Sequence, residues 1–189
     1  MFISPITAIE NGWVKFPDYM TQTQKDNCIQ PNALDFTLDH VFTIDATHPF
    51  YFSETYKRHR GGYTLLPRQT LPSDSSDGLD GLGQYWSLEA NSAYDGLSDF
   101  YITVPKDVAA LFIVRSTLNR NGLFITSGLY DSGFQGSCGV VIHNRSGVAY
   151  IAPHTRIGQL MFVKSESSGI VYAGGYNTKT GQHWSEANK

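Results

Sequence analysis

The stretch AALFIVRSTLNRNGLFITSGLYDSGFQGSCGVVIHNRSGVAYIAPHTRIGQLMFV, residues 109–163, decides the architecture. Apolar runs of four to seven residues (109–115, 123–126, 138–143, 147–151, 159–163) alternate with Gly, Pro and Asn punctuation such as Pro153-His154-Thr155. Runs that short, bounded by turn formers, have strand length rather than helix length. Further runs at 85–88 and 100–104, with a turn at Pro105-Lys106-Asp107, extend the pattern upstream. Many short strands between turns imply an all-β barrel or jelly-roll sandwich.

At 189 residues the chain is long enough to bury a substantial core, and a single domain over 1–189 is the simplest organisation. Aromatics reach 13% and charged residues only 16%, a globular composition rich in strand formers. No apolar run approaches membrane length, and the N-terminus lacks the basic-then-apolar order of a secretory signal. A soluble, cytoplasmic protein with no membrane partner is the expectation. Cys28 and Cys138 form no CxxC pair and have no His at ligand spacing, so buried free thiols are expected rather than a zinc site. Zinc-dependent nucleotide deaminases, which need paired cysteines and a His-x-Glu, are disfavoured for the same reason. The net charge of −3 hides an asymmetry: residues 1–100 carry six Lys/Arg against thirteen Asp/Glu, and 101–189 carry eight against four. A locally basic half on a mildly acidic chain suits a small polyanion better than a nucleic-acid polymer.

Outward from the deciding stretch, a short helix is expected near Pro5, and 29–44 alternate as strands after a turn at Pro31-Asn32. Residues 45–95 match no motif and read as an insert. They hold a basic tip at 56–62 and a Ser/Asp/Gly loop at 73–83, which lacks the terminal Glu of a calcium loop. Residues 119–121 suit one helical turn. The six histidines are scattered with no i,i+4 pair, and Trp86 and Trp184 read as core or interface residues.

Chemistry gathers in three places: Arg115-Ser116-Thr117-Leu118 with Arg120, then Gly128-Leu129-Tyr130-Asp131-Ser132-Gly133-Phe134-Gln135-Gly136, then Arg156-Ile157-Gly158-Gln159-Leu160. Guanidinium groups, a serine hydroxyl and a glutamine amide can hold phosphate oxygens, leaving one isolated acid to handle a proton. Taken singly, each is also ordinary surface or turn sequence, and Asp-Ser-Gly by itself is good turn chemistry. Their order and spacing resemble the dUTPase/dCTP deaminase family. The Arg-Ser-x-Leu match implies phosphate binding by Arg115, Ser116, Thr117 and Arg120, and Arg-Ile-Gly-Gln-Leu implies the same for Gln159. The hairpin match makes Asp131 the catalytic acid that orients or deprotonates the attacking water. It also places Phe134 under the deoxyribose and gives the pyrimidine edge to the backbone of Thr126, Ser127, Gly128 and Tyr130. Asp35, in Asn32-Ala33-Leu34-Asp35-Phe36, matches the family's first motif and is the expected partner of Arg156, whether as a structural salt bridge or in catalysis.

Gly136-Ser137-Cys138-Gly139-Val140-Val141-Ile142-His143-Asn144 is similar to the dUTPase form of the family, and Val141 stands where dCTP deaminases carry the glutamate that deamination needs. The tail, Gly174-Gly175-Tyr176-Asn177-Thr178-Lys179-Thr180-Gly181, is similar to the dUTPase closing segment, with Tyr176 on the base and Thr178, Lys179 and Thr180 at the phosphates. A plain flexible terminus over 171–189 is the alternative there. The resemblance implies a β-clip, or jelly-roll-like distorted β-barrel of dUTPase type, assembled as a homotrimer with shared sites. It also implies dUTP diphosphatase activity with Mg²⁺ clamping the triphosphate. The alternatives are a dCTP deaminase, mono- or bifunctional, and a non-catalytic dUTP-binding regulatory protein.

Overall fold

The computed structural model describes residues 1–55, 57–58, 62–70, 83–166, 169–178 and 182–187. Lys179, Thr180, most of the basic tip and nearly all of the Ser/Asp/Gly loop fall outside these residues. The elements in chain order are β1 (Phe2–Ile3), α1 (Pro5–Glu10), β2 (Val14–Lys15), α2 (Gln22–Asn27), β3 (Leu34–Ile44), β4 (Tyr51–Phe52), β5 (Lys57–Arg58), β6 (Tyr63–Leu65) and β7 (Gln69–Thr70). There follow β8 (Gln84–Leu88), β9 (Ser92–Thr103), β10 (Val108–Val114), α3 (Ser116–Arg120), β11 (Leu123–Thr126), β12 (Leu129–Tyr130), β13 (Gln135–Asn144), β14 (Ala149–Ile151), β15 (Arg156–Lys164) and α4 (Trp184–Ala187). None of the described helices is long and apolar enough to cross a membrane.

The main sheet is antiparallel in the order β11-β13-β9-β3-β15-β10-β12, with β1, β2 and β6 on β15, β9 and β3. β11 and β12 lie at opposite ends of that order, yet only Ser127 and Gly128 separate them in the chain. Six flat inter-strand steps would hold the ends roughly 29 Å apart. The link from Thr126 to Leu129 reaches at most about 11 Å. The sheet therefore curls until its ends meet, giving the barrel-like all-β shell expected of the dUTPase/dCTP deaminase fold.

Inside the curl lie Leu34, Phe36, Leu38, Phe100, Ile102, Ile142, Ile157, Leu160 and Phe162, all essentially inaccessible. Phe36 meets Phe100 and Phe112 edge-on at 5.5 and 4.9 Å, a favoured aromatic geometry. Gly158 lets β10 and β15 close: a Cβ there would stand 2.1 Å from the Phe112 ring and 2.8 Å from the Ile113 carbonyl. Trp86 is core, under the Arg68 guanidinium at 5.1 Å. Both cysteines are free and buried.

Two elements differ from the sequence expectation. The run at 100–104 is only the end of the twelve-residue β9, because buried Asp95, Ser98 and Asp99 interrupt its apolar pattern. The helical turn expected at 119–121 is α3, which begins at Ser116. The helix near Pro5 is α1, with Ser4 as its cap and Pro5 in its first turn.

Candidate active site

The two-residue clasp that ties the sheet ends also borders a cavity of about 550 Å³. Its walls are Thr126, Ser127, Gly128, Leu129 and Tyr130 of the hairpin, Phe134, and Ser137 and Gly139 to Val141 of β13. Asp95 and Leu97 of β9, Ile44 and Tyr63 complete one side, and the tail residues Tyr172, Tyr176, Thr178 and Trp184 cover another. Hydrogen bonds tie the hairpin to β13. The Tyr130 hydroxyl donates to the Gly139 carbonyl at 2.8 Å and lies 2.8 Å from Ser127 Oγ, which also meets that carbonyl at 2.8 Å. Burial holds the Tyr130 hydroxyl well above its ordinary range, so it serves as a donor at neutral pH.

The tail docks on its own chain. Thr178 N–H donates to the Gln135 carbonyl at 3.0 Å, Gln135 N–H donates to Asn177 Oδ1 at 2.9 Å, and Ser137 N–H donates to Thr178 Oγ1 at 3.3 Å. Gly136 makes room for this strand-like contact, since a Cβ there would meet Thr178 Oγ1 at 2.8 Å. Further on, His183 is 2% exposed and packs on the Phe42 and Tyr63 rings at 4.3 and 5.1 Å. Its Nε2 lies 3.3 Å from Asp95 Oδ2, to which Trp184 Nε1 also donates at 3.0 Å. Asp95 is thus a buried carboxylate in the cavity wall, tied to the tail by two donors. It faces Val141 directly across the β9–β13 ladder.

Apart from Thr178, the described residues expected to bind phosphate lie outside this cavity. Arg115, Ser116, Thr117 and Arg120 are exposed on and beside α3. Arg115 N–H donates to the Ile157 carbonyl at 3.1 Å, and its Nη1 donates to the Arg156 carbonyl at 3.2 Å. Beneath them, Asp35 is 3% exposed and accepts from Arg156 Nη1 and Gln30 Nε2, both at 3.1 Å, and from Gln159 Nε2 at 3.3 Å. Asp131 is exposed on the hairpin turn, outside the cavity wall, and its side chain makes no hydrogen bond among the described residues. Tyr130, next to it, pairs with Ala110 on β10. Arg115 lies five residues further along from Ala110, roughly 17 Å away at strand rise.

The expected site residues thus fall into two groups on one chain. Thr126, Ser127, Gly128, Tyr130, Phe134, Tyr176 and Thr178 come together around the cavity, and Arg115, Ser116, Arg156, Gln159 and Asp35 come together at the far end of β10. The sequence reading gave Asp95, Tyr172 and His183 no role at the site and took Trp184 for a core or interface residue. No local motif marks them, because Asp95 and His183 meet across 88 residues of chain.

Residues 18–165 match the dCTP deaminase-like family, and the chain belongs to it. The probable deoxyuridine 5′-triphosphate nucleotidohydrolase of Methanopyrus kandleri is 30% identical over 148 residues, 78% of this chain and 86% of that one. The dUMP-forming dCTP deaminase of Thermobifida fusca is 28% identical over 163 residues, covering 85% and 74%. Among solved structures, the 2′-deoxycytidine 5′-triphosphate deaminase of Agrobacterium tumefaciens superposes with a TM-score of 0.59 at 15% identity, a likeness of fold. The match covers 85% of this chain and 47% of that one, so this chain spans about half that protein's length. Relatives carry both hydrolase and deaminase names.

Proposed function

We propose that the protein is a dUTP diphosphatase, converting dUTP and water to dUMP and pyrophosphate. The observation that carries this reading is the cavity wall at Val141, apolar where a deaminase needs a proton-transferring side chain. In this reading the backbone of Thr126 to Tyr130 pairs with the uracil edge, Phe134 packs under the deoxyribose and Tyr176 covers the base. Arg115, Ser116, Thr117, Arg120 and Gln159 hold the phosphates, joined by Thr178 and Lys179 of the tail. Asp131 takes a proton from the water that attacks the α-phosphorus, and the bond to the bridging oxygen breaks to release pyrophosphate.

On one chain Arg115 lies roughly 17 Å along β10 from Ala110, the partner of hairpin residue Tyr130, and in this reading the site is completed by the cradle of a second copy. That supports a closed homo-oligomer, and a trimer is the assembly the family resemblance implies. Magnesium fits the donor set in a limited way. Among the described residues no pair of carboxylates lines the cavity, and both Asp95 and Asp35 are already engaged. The ion would ride on the triphosphate's own oxygens and water, neutralising oxyanion charge. A soluble protein acting in the cytoplasm is consistent with that chemistry.

The position of Asp95 favours a second reading, dCTP deamination. A carboxylate faces the cavity from the strand opposite Val141, where it could replace the missing acid. Purified protein with each deoxynucleoside triphosphate and Mg²⁺, followed for pyrophosphate and ammonia, separates the two. Pyrophosphate from dUTP without ammonia from dCTP supports the hydrolase. Ammonia from dCTP overturns it in favour of the deaminase, and binding without either product points to a regulatory protein.

A further inference from the structure

We propose that Asp39, Asp99 and His154 form a divalent-cation site outside the nucleotide cavity, built for a first-row metal of the zinc type. One ligand atom of each residue lies within 4.8 Å of those of the other two. β9 carries Asp99 inward until its side chain is fully buried. Its Oδ1 accepts from the Tyr19 hydroxyl and lies against His154 Nδ1, each at 2.5 Å. Its Oδ2 is buried and has no hydrogen-bond partner among the described residues. A buried carboxylate oxygen without a donor is costly, and a cation is the usual remedy.

The backbone converges on this spot from three directions. The β3–β9 register slips between Leu38 and His40, which makes Asp39 the extra residue of a β-bulge. Bulges re-aim side chains in this way. His154 arrives from the turn after β14, its N–H donating to the Leu38 carbonyl at 2.7 Å and its φ at +60°. Left-handed backbone is uncommon outside glycine and persists where the surroundings enforce it. The Tyr19 ring lies 5.3 Å from the imidazole. Burial, then the Asp99 carboxylate, pushes the Tyr19 hydroxyl far above its ordinary range, so it remains a donor to Asp99.

Charge points the same way. Two carboxylates face a single guanidinium, Arg68 Nη2 at 3.8 Å from Asp39 Oδ1, and His40 Nδ1 lies 2.8 Å from Asp39 Oδ2. With both imidazoles neutral the cluster keeps a net negative charge. Two carboxylates with one imidazole suit zinc and its neighbours better than magnesium, which prefers oxygen donors alone. The competing account makes protonated His154 the counter-ion of Asp99, with no metal.

The test is equilibrium dialysis of the untagged 189-residue chain, pretreated with chelator, against ZnCl₂, with MgCl₂ as a parallel arm. One zinc per chain is expected, with affinity reduced about tenfold or more in Asp99→Asn and in His154→Ala. Should both variants misfold by circular dichroism, Co²⁺ added to the wild type decides, through a visible d–d band that zinc displaces. No stoichiometric zinc uptake, uptake undiminished in both folded variants, a preference for magnesium, or no cobalt band overturns the proposal.

Discussion

Asp95 and Val141 are direct cross-strand partners on β9 and β13, and both line the nucleotide-sized cavity. Opposed residues of an antiparallel pair share a face of the sheet. The cavity therefore keeps a carboxylate, but on the neighbouring strand and under the grip of His183 and Trp184. If Asp95 serves chiefly to seat the tail, Asp95→Asn weakens substrate binding more than turnover. The expected result is a roughly tenfold rise in KM for dUTP, the equivalent of one charge-assisted hydrogen bond, with kcat little changed. Steady-state pyrophosphate release measures it. A collapse of kcat with unchanged KM would instead give Asp95 a chemical role.

Asp131 is the exposed acid of the hairpin turn. Asp131→Asn is expected to lower kcat for dUTP by about 10²–10⁴ while affinity for a non-hydrolysable dUTP analogue stays within a few-fold. Calorimetric titration beside the activity assay checks both halves. Retained turnover removes Asp131 from the mechanism.

Because hairpin and cradle are far apart on one chain, two defective chains should repair each other. Asp131→Asn lacks the hairpin acid, and Ser116→Ala with Arg115→Ala lacks the cradle. Co-expressed, they should recover about a quarter of the wild-type sites, those that pair an intact hairpin with an intact cradle. Activity no higher than either variant alone would place the whole site within one chain.

Gly158→Ala pushes a methyl group into the Phe112 ring and the Ile113 carbonyl. Overpacking of this kind costs at least about 1–3 kcal/mol. A lowered midpoint in urea unfolding is expected, and unchanged stability would mean that β10 yields without cost.

Burial raises the Cys28 thiol to about 11 and lifts Cys138 as well. Neither should react with a thiol reagent in native protein at pH 8, and both should react in denaturant. The raised Cys28 value also fixes a sign. Its contribution is complete below about 9, the ordinary value for an unfolded thiol, and is lost as pH climbs through about 11. Stability measured across that window should fall.

The strands at 123–126 and 159–163 were legible because apolar alternation and turn residues act locally, and they correspond to β11 and most of β15. The pairing of Asp35 with Arg156 was expected from the family resemblance of their two motifs, and they meet at 3.1 Å. β9 was half hidden, since its buried Asp95, Ser98 and Asp99 look like solvent-facing polarity until partners arrive from elsewhere. Those partners are His183, His154 and Tyr19, brought in by the tail, a turn and the N-terminal segment. No spacing rule connects them. His154 and His183, which look scattered along the chain, each meet a buried aspartate in space.

The Ser127-Gly128 link joins the two margins of the curled sheet and is also a wall of the cavity. Loosening the shell and deforming the pocket are thus a single mechanical event. Lesions in the strands that hold the roll together therefore bear on the cavity as well as on the shell. A screen that scores activity alone will mistake such scaffold damage for damage to the chemistry.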